Sequence, residues 1–575
     1  MEHVSPAEHV RAAPGELLRG PLSGTVRRHW LFVLAMAGAV AVRAVTMLAF
    51  RPVLWFGGDS ASYVATALRL MPDPSRLGGY GLLLRLLRPL HSFAAVAAVQ
   101  HMAGLAMGVM IYLLARRYRL PAWAATLAAV PVLFDAYQLQ LEHDVVPDVL
   151  FSFLAMLALT LVLWGAAPGR EIPAVLPGGS RGPGRARWRG WAPAAAGLLL
   201  GLSVIVWPVG LALLLLLLAA LAARRAGWTV LVAAALAGAA PVAGYAAWFD
   251  ASYHQVTLTD SEGVFLWART MTFADCAVIG PPAPERVLCP HMPPARRPAS
   301  SEFIWQPWSP LLHMPGGRFG ERTNRLALDF ALRAIDAQPA GYVTAVLRDF
   351  ALSFTWNRPD HPDPRTVSKY QFSNATTRWA PAGLHTTGGG RLSTDQLAYT
   401  GGRDPATRAV QPYASWMVSY QRDVYLRGTL LGLILLAGLT GTAVRLRRLR
   451  GARFPGGLPG AGRFGPAMLP WAFAMAGLLV PPAVADFDLR YVVPAVPAAC
   501  LAAVLAFAPL APGRRPAHRP AAGAPAAGWQ AAGGSTAADP AAADPAAADP
   551  AAGDPAAGDQ TTGNTVAGNR LRESQ

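Results

Sequence analysis

The sequence predicts an all-α polytopic membrane protein: about ten transmembrane helices, an extracytoplasmic segment of mixed helical and irregular structure, and a disordered C-terminal tail. Three observations carry this. Of 575 residues, 53% are hydrophobic and only 14% charged, against about 25% charged in soluble domains. The apolar residues gather in long runs, several reaching the roughly 20 residues that cross a bilayer. Arg-dense loops alternate with acid-rich ones along the chain, as the enrichment of basic residues on the cytoplasmic side leads one to expect.

Residues 1–29 form a polar cytoplasmic segment with Arg11, Arg19, Arg27 and Arg28. The run from Trp30 to Phe50 is too long for a cleaved signal and lacks a small-residue cleavage site. A core over 30–250 follows, with a first outer loop at 51–92 and further spans at 93–115, 121–141, 148–167, 191–207, 209–223 and 228–249. The stretch 191–223 is too long for one span at 1.5 Å per residue. Trp207-Pro208 near its middle predicts a hairpin of two short spans. An extracytoplasmic domain occupies 251–425. Within it "RTNRLALDFALRAIDAQPAGYVTAVLRDFALSF" has helical spacing, interrupted at Pro339. The C-terminal spans lie in 426–511, at 427–444, 466–485 and 489–510.

Charge tests the count. Ten spans put "RRYR" at 116–119, the Arg-rich 170–190 stretch, Arg224-Arg225 and "RLRRLRGAR" at 445–453 inside, and the acidic clusters outside. Both termini are then cytoplasmic. The tail 512–575 repeats "AADPAAADPAAADPAAGDPAAGD"; its prolines block a continuous helix, and it has almost no large apolar residue to bury. The net charge of +17 is carried by Arg, with Lys369 the only lysine. With the Ala, Gly and Pro excess this fits a GC-rich coding bias and a bacterial plasma membrane, and it calls for no nucleic-acid partner. Cys500 lies in an apolar run. Cys276 and Cys289 flank "CAVIGPPAPERVLC", and two readings stand: a disulfide if that loop is outside, or two unrelated thiols.

Three acidic clusters sit at outer turns. In "FGGDSASY", Asp59 either caps a short interfacial helix, as Ser60 also could, or has a chemical task, since acids near apolar surface are costly. In "LQLEHDVVPDVLF", Asp148 follows Pro147 and fits the first turn of a span, while Glu142 and Asp144 have no such local role. A carboxylate there suits a general base, and a group of them suits a divalent cation. Glu142, His143 and Asp144 are the candidate metal ligands, and no other cofactor is implied. In "ADFDLRYVVPAVP", Arg490 and Tyr491 read either as an interfacial anchor beside Asp486 and Asp488 or as a phosphate site built on a fixed cationic fork.

Four pieces resemble the polyprenyl-phosphate-dependent, GT-C-type glycosyltransferases, the group that includes protein O-mannosyltransferases and aminoarabinose transferases. They are "GGDSASYVATALRL"; "GGYGLLLRLL" with "VQHMAGLAMGVMIYLLARRY"; "EHDVVPDVLFSFLAMLAL"; and "LRYVVPAVPAACLAAVLAF". The resemblance implies an integral membrane glycosyltransferase that moves a sugar from a polyprenyl-phosphate donor to an acceptor hydroxyl on the outer face, with inversion. Asp59 takes the place of that family's proposed general base. Glu142, Asp144, Asp148, Tyr80, Arg85, Arg490 and Tyr491 become the expected substrate-binding set. The acceptor is a glycan, lipid or protein. Before the Tyr of the first loop the family has a basic residue and Pro; this chain reads "SRLGGYGLLL". Two other classes fit ten spans: a transporter or lipid flippase, and a non-catalytic scaffold. Transporters bury polar groups at mid-membrane, whereas these acids cluster at the outer edge.

Overall fold

The computed structural model describes residues 21–167, 184–375, 384–451 and 465–509. The expected N-terminal segment up to residue 20, most of the Arg-rich 170–190 loop and the tail 512–575 lie outside the described residues. Those described fall in one compact unit.

The first half is helical. α1 (Pro21–Ala49) leads through a short extended link to α2 (Gly57–Arg69) and α3 (Gly79–Leu87) of the first loop. α4 (Phe93–Arg117), α5 (Ala122–Phe134), α6 (Ala136–His143), α7 (Asp148–Ala166), α8 (Gly184–Val206), α9 (Val209–Ala223) and α10 (Trp228–Tyr253) follow. α8 packs between α7 and α10. Gly197 and Gly201 make that approach possible: a Cβ on either would lie 2.1 Å from a carbonyl oxygen of α10, the use small residues have between membrane helices.

Two expectations meet Pro and Asp residues here. The stretch 191–223 breaks at Trp207–Pro208 into α8 and α9, because Pro208 cannot donate the hydrogen bond a continuous helix needs. The expected continuous span 121–141 is not continuous. It is bent by 51° between α5 and α6. Asp135 sits at the bend, where its carboxylate accepts from the backbone N–H of Tyr137 and Gln138 and starts a new helix. Its second oxygen accepts from Leu426 N at 2.7 Å, tying the bend to the C-terminal half.

By length and composition, six helices among the described residues qualify as membrane spans, or seven if the bent α5–α6 pair counts as one. Three more apolar helices, Trp191–Val206, Val209–Ala223 and Met468–Val484, are shorter than these criteria require. The count of ten depends on those three.

The segment between α10 and the C-terminal spans has two parts. Residues 261–337 build their own core, with α11 (Glu262–Thr270), α12 (Cys276–Ile279), α13 (Ser300–Trp305) and α14 (Glu321–Ala337) enclosing Trp267, Phe303, Ile304 and Phe330. A disulfide joins Cys276 to Cys289. The helical stretch divides where Pro339 stands, into α14 and α15 (Pro339–Leu352). The second part, with α16 (Pro364–Ser368), α17 (Leu392–Thr400) and α18 (Tyr413–Asp423), closes on the first loop. Phe50–Arg51 pairs antiparallel with Arg408–Ala409, Trp55 Nε1 donates to Pro405 O, and Tyr399 stacks on Phe93. α19 (Gly428–Gly451), α20 (Met468–Val484), α21 (Leu489–Val492) and α22 (Val496–Ala506) complete the bundle, α22 packing on α19 and α20. The thiol of Cys500 is free and buried among them.

The two kinds of loop gather separately. Around Tyr118, Arg224, Arg117 and Arg445 converge from three basic loops; burial pushes the Tyr118 hydroxyl up to about 12 against their pull. The acidic loops meet elsewhere, at the site described next.

Candidate active site where three acidic loops meet

α2 opens at Gly57, so Asp59 falls in its first turn. Asp59 makes no capping bond; Ser60 instead reaches back to the N-cap residue, its hydroxyl accepting from Phe56 N at 2.8 Å and donating to Val145 O at 2.9 Å. Asp59 is left for other partners. Its side chain is 16% exposed and lies between two guanidinium groups: Oδ1 is 2.6 Å from Arg76 Nη2 and Oδ2 is 2.7 Å from Arg490 Nη1. Arg490 also reaches Asp148, with Nε and Nη2 each 3.3 Å from a carboxylate oxygen. Its guanidinium carbon stands 4.9 Å from the Phe56 ring centre. Residues 59, 76, 148 and 490 thus form one ionic group assembled from one loop and the first turns of three helices. Burial pushes the Asp59 carboxyl up, but Arg76 and Arg490 outweigh it and hold the group below the usual carboxylate range. Burial disfavours the Arg76 cation, but Asp59 and Asp73 outweigh it and strengthen its hold on the proton.

Each partner has a local reason for its place. Asp148 is the first residue of α7, following Pro147. Asp488 caps the last helical stretch by accepting from Arg490 N at 3.2 Å, which fixes where Arg490 begins. The other Asp488 oxygen accepts from Tyr370 Oη at 2.7 Å. Burial pushes Asp488 up to about 6, against the pull of Arg490. The first loop is tied to the 142–145 turn by backbone hydrogen bonds from Leu54 N to His143 O and from Val145 N to Leu54 O. Gln100 supports this turn, donating to the carbonyls of Glu142 and Asp144.

Asp144 lies in that turn, 1% exposed, accepting from Val145 N and Gln140 Nε2. Burial pushes its carboxyl up to about 7. The sign follows. Between about pH 4 and pH 7 the folded chain holds this proton while the unfolded chain has released it. Stability therefore falls as pH rises through that window, by a contribution on the order of 4 kcal/mol. Asp144→Asn removes that contribution, so the loss of melting temperature from pH 5 to pH 8 should be smaller in the variant. An identical slope in wild type and variant would remove Asp144 as its source.

The remaining expected residues are placed differently. Tyr80 is fully buried and donates to Gln100 Oε1 at 2.7 Å, its ring edge-on to Tyr63, so it stands behind the site. Arg85 donates to the carbonyls of Ala67 and Leu68, closing the end of α2. Tyr491 packs against Trp207 beside the Arg490 guanidinium. Glu142 is fully buried and turned into the bundle. Arg43 holds it through two contacts of 2.8 Å, and His101 and Gln138 hold it through two more. His143 faces His101 and the carbonyl of Phe50. Glu142, His143 and Asp144 therefore point to three different sets of partners and do not converge as metal ligands.

Among the described residues, Asp349, His361 and Asp486 are the group whose ligand atoms lie within 4.8 Å of one another. His361 Nε2 is 2.8 Å from Asp486 Oδ1, while Arg269 Nη1 is 2.5 Å from Asp349 Oδ2. A guanidinium already supplies positive charge there.

The structure adds Arg76, Asp488, Phe56 and Tyr370 to the expected set. Arg76 stands in "SRLGGYGLLL", the stretch whose departure from the family pattern of a basic residue and Pro left it out of the expected set. Its signal was a basic residue after the Asp73-Pro74 turn, able to fold back on α2. A small apolar gap of about 10 Å³ lies in the bundle, lined by Phe151, Ser152, Ala155 and Met156 of α7 and by Pro494, Ala495 and Ala498 among others. These residues follow Asp148 and Arg490 by about one to two helical turns, so apolar helix surface begins close behind the ionic group.

No family model matches the chain, and no curated protein matches it. Solved structures of the oligosaccharyltransferase of Archaeoglobus fulgidus are similar. The apo form gives a TM-score of 0.35 at 15% identity, covering 84% of this chain and 51% of that one. The form tethered to an acceptor peptide containing the NVT sequon gives 0.36 at 14% identity, with 84% and 50% covered. The complex with an inhibitory peptide and a dolichol-phosphate gives 0.35 at 15% identity, with 83% and 50% covered. The chain spans about half the length of the solved structures it matches.

Proposed function

We propose that this protein is an integral membrane glycosyltransferase that moves a sugar from a polyprenyl-phosphate donor to an acceptor hydroxyl, with Asp59 as general base and inversion at the anomeric carbon. One observation supports it above the rest: Asp59, Arg76, Asp148 and Arg490 meet where the apolar helices α7 and α22 approach the outer loops. A lipid phosphate suits such a place, being an anion joined to a long apolar chain.

The chemistry follows from the two ends of the reaction. A hydroxyl is a poor nucleophile until its proton is removed as its oxygen bonds to carbon. Asp59 takes that proton. The bond between the anomeric carbon and the phosphate oxygen breaks on the opposite side, and its electron pair leaves with the phosphate. That group needs charge stabilisation, which Arg490 and Arg76 supply. At rest both cations hold Asp59, which lowers its basicity. When the donor phosphate draws on them, Asp59 regains the proton affinity a base requires. The reading places the leaving charge on these guanidinium groups and routes no step through a divalent cation. The acceptor remains one of three classes: glycan, lipid or protein.

The test is label transfer from a polyprenyl-phosphate sugar to a hydroxyl acceptor by purified protein in lipid nanodiscs, with the product anomer read by NMR. Inverted product is expected. Retained configuration would remove the single displacement, and label that never leaves the lipid would remove the transferase.

A second reading, a transporter or lipid flippase, is favoured by the buried Arg43–Glu142–His101–His143 network inside the helices, since intramembrane ionisable groups commonly mark transport paths. In sealed vesicles that reading predicts movement of intact donor without bond cleavage.

A further inference from the structure

Lys369 is the only lysine in a chain with 50 basic residues. It lies just past α16, beside Tyr370, and its Nζ stands 5.3 Å from the centre of the Phe56 ring. That is the ring over which Arg490 also sits. Tyr370 stacks on it as well, at 5.3 Å. Phe56 therefore carries two cations, one from the last helical stretch and one from the middle segment.

The two cations differ in what they already hold. Arg490 uses Nε, Nη1 and Nη2 on Asp59 and Asp148. Arg76 is engaged by Asp59. Lys369 has an aromatic face and, among the described residues, no carboxylate within ion-pair distance and no hydrogen bond to its ammonium, its backbone alone being engaged. A cation on an aromatic face keeps its charge available to a third group. An ammonium suits a phosphate as a compact point charge with three rotatable donors, where a guanidinium imposes a fixed fork.

We propose that Lys369 is the primary anchor for the phosphate of a lipid-linked ligand, receiving it on the Phe56 ring before Arg490 and Arg76 are drawn from Asp59. This rests on the transferase reading for the identity of the ligand. It also gives the order of events: Lys369 takes the anion first because its charge is uncommitted, and the arginines follow because the anion then lies beside them.

The experiment uses the full chain in nanodiscs and measures binding of a polyprenyl monophosphate, with the uncharged polyprenol and inorganic phosphate as comparison probes. Lys369→Gln should weaken binding of the monophosphate about 10- to 100-fold, the effect expected for loss of a charge-assisted contact. Lys369→Arg should recover part of it, and polyprenol binding should not change. Because only the contact with the Phe56 ring is lost, Lys369→Gln should melt close to wild type; an unfolded variant would overturn the claim that the ammonium is uncommitted. Equal monophosphate binding by wild type and Lys369→Gln overturns the anchor and leaves the donor reading standing. Wild type that binds polyprenol as well as the monophosphate overturns both. Inorganic phosphate competing as strongly as the lipid phosphate overturns the assignment of a lipid ligand.

Discussion

Replacing Asp59 with Asn is expected to lower kcat about 10²- to 10⁴-fold in a protein that still folds and still binds donor. Asn keeps the size of the side chain and an oxygen to accept from Arg76 or Arg490, while Arg490 retains Asp148. What disappears is the proton acceptor and the negative charge that competes with the donor phosphate for the arginines. KM for the donor should therefore hold or fall while kcat collapses, a split that general unfolding would not produce. The pH profile gives a second readout. Arg76 and Arg490 outweigh burial and hold Asp59 below the usual carboxylate range, so the base form persists into acid. The acid limb of kcat/KM in wild type should lie below about pH 4 and should vanish from the residual activity of the variant. Unaltered transfer by Asp59→Asn would remove Asp59 as the base.

Glu142→Leu should cost about 3–5 kcal/mol of stability, the usual result of removing one partner from a buried ion pair. Glu142 is fully buried, and Arg43 is 3% exposed. Without the carboxylate, the guanidinium keeps its contact with Leu133 O but loses its counter-charge. Gly104 shows how closely the pair is accommodated: a Cβ there would lie 1.7 Å from Glu142 Oε1. The double variant Arg43→Met/Glu142→Leu should recover most of the loss, since a well-packed apolar pair often replaces a buried ionic one at little cost. Reversible SDS unfolding measures both. Glu142→Leu that unfolds with wild type while donor KM rises would return Glu142 to the substrate-binding role first expected from sequence.

These two carboxylates show what the sequence could and could not reveal. Asp59 and Glu142 look alike in sequence: acids at helix exits, followed by helical spacing. Asp59 ends against two arginines at the mouth, Glu142 against Arg43 and His101 inside the bundle. Nothing local separates them, because their partners lie 17, 431, 99 and 41 residues away in the chain, separations that hydrophobic periodicity does not report. Arg85 shows the same limit. The family resemblance offers it as a substrate-binding residue, yet the end of α2 supplies two bare carbonyls that take its guanidinium.

Elements whose cause is local were readable in advance. The break at Trp207–Pro208 and the division at Pro339 follow from proline chemistry. The apolar runs follow from composition, and the start of α7 from the Pro147–Asp148 pair. The bend at Asp135 was missed because the apolar pattern continues across it. A capping side chain held by Leu426, far along the chain, decides it.

By itself, then, the sequence determined the helical membrane class, the breaks at proline, and the presence of acids and Arg490 at helix exits, because each depends on neighbouring residues or on bulk hydrophobicity. Only the tertiary structure decided which acid faces which cation. Pairing is a matter of a few ångströms between loops far apart in the chain. That distance separates a carboxylate open to a substrate from one sealed inside the bundle.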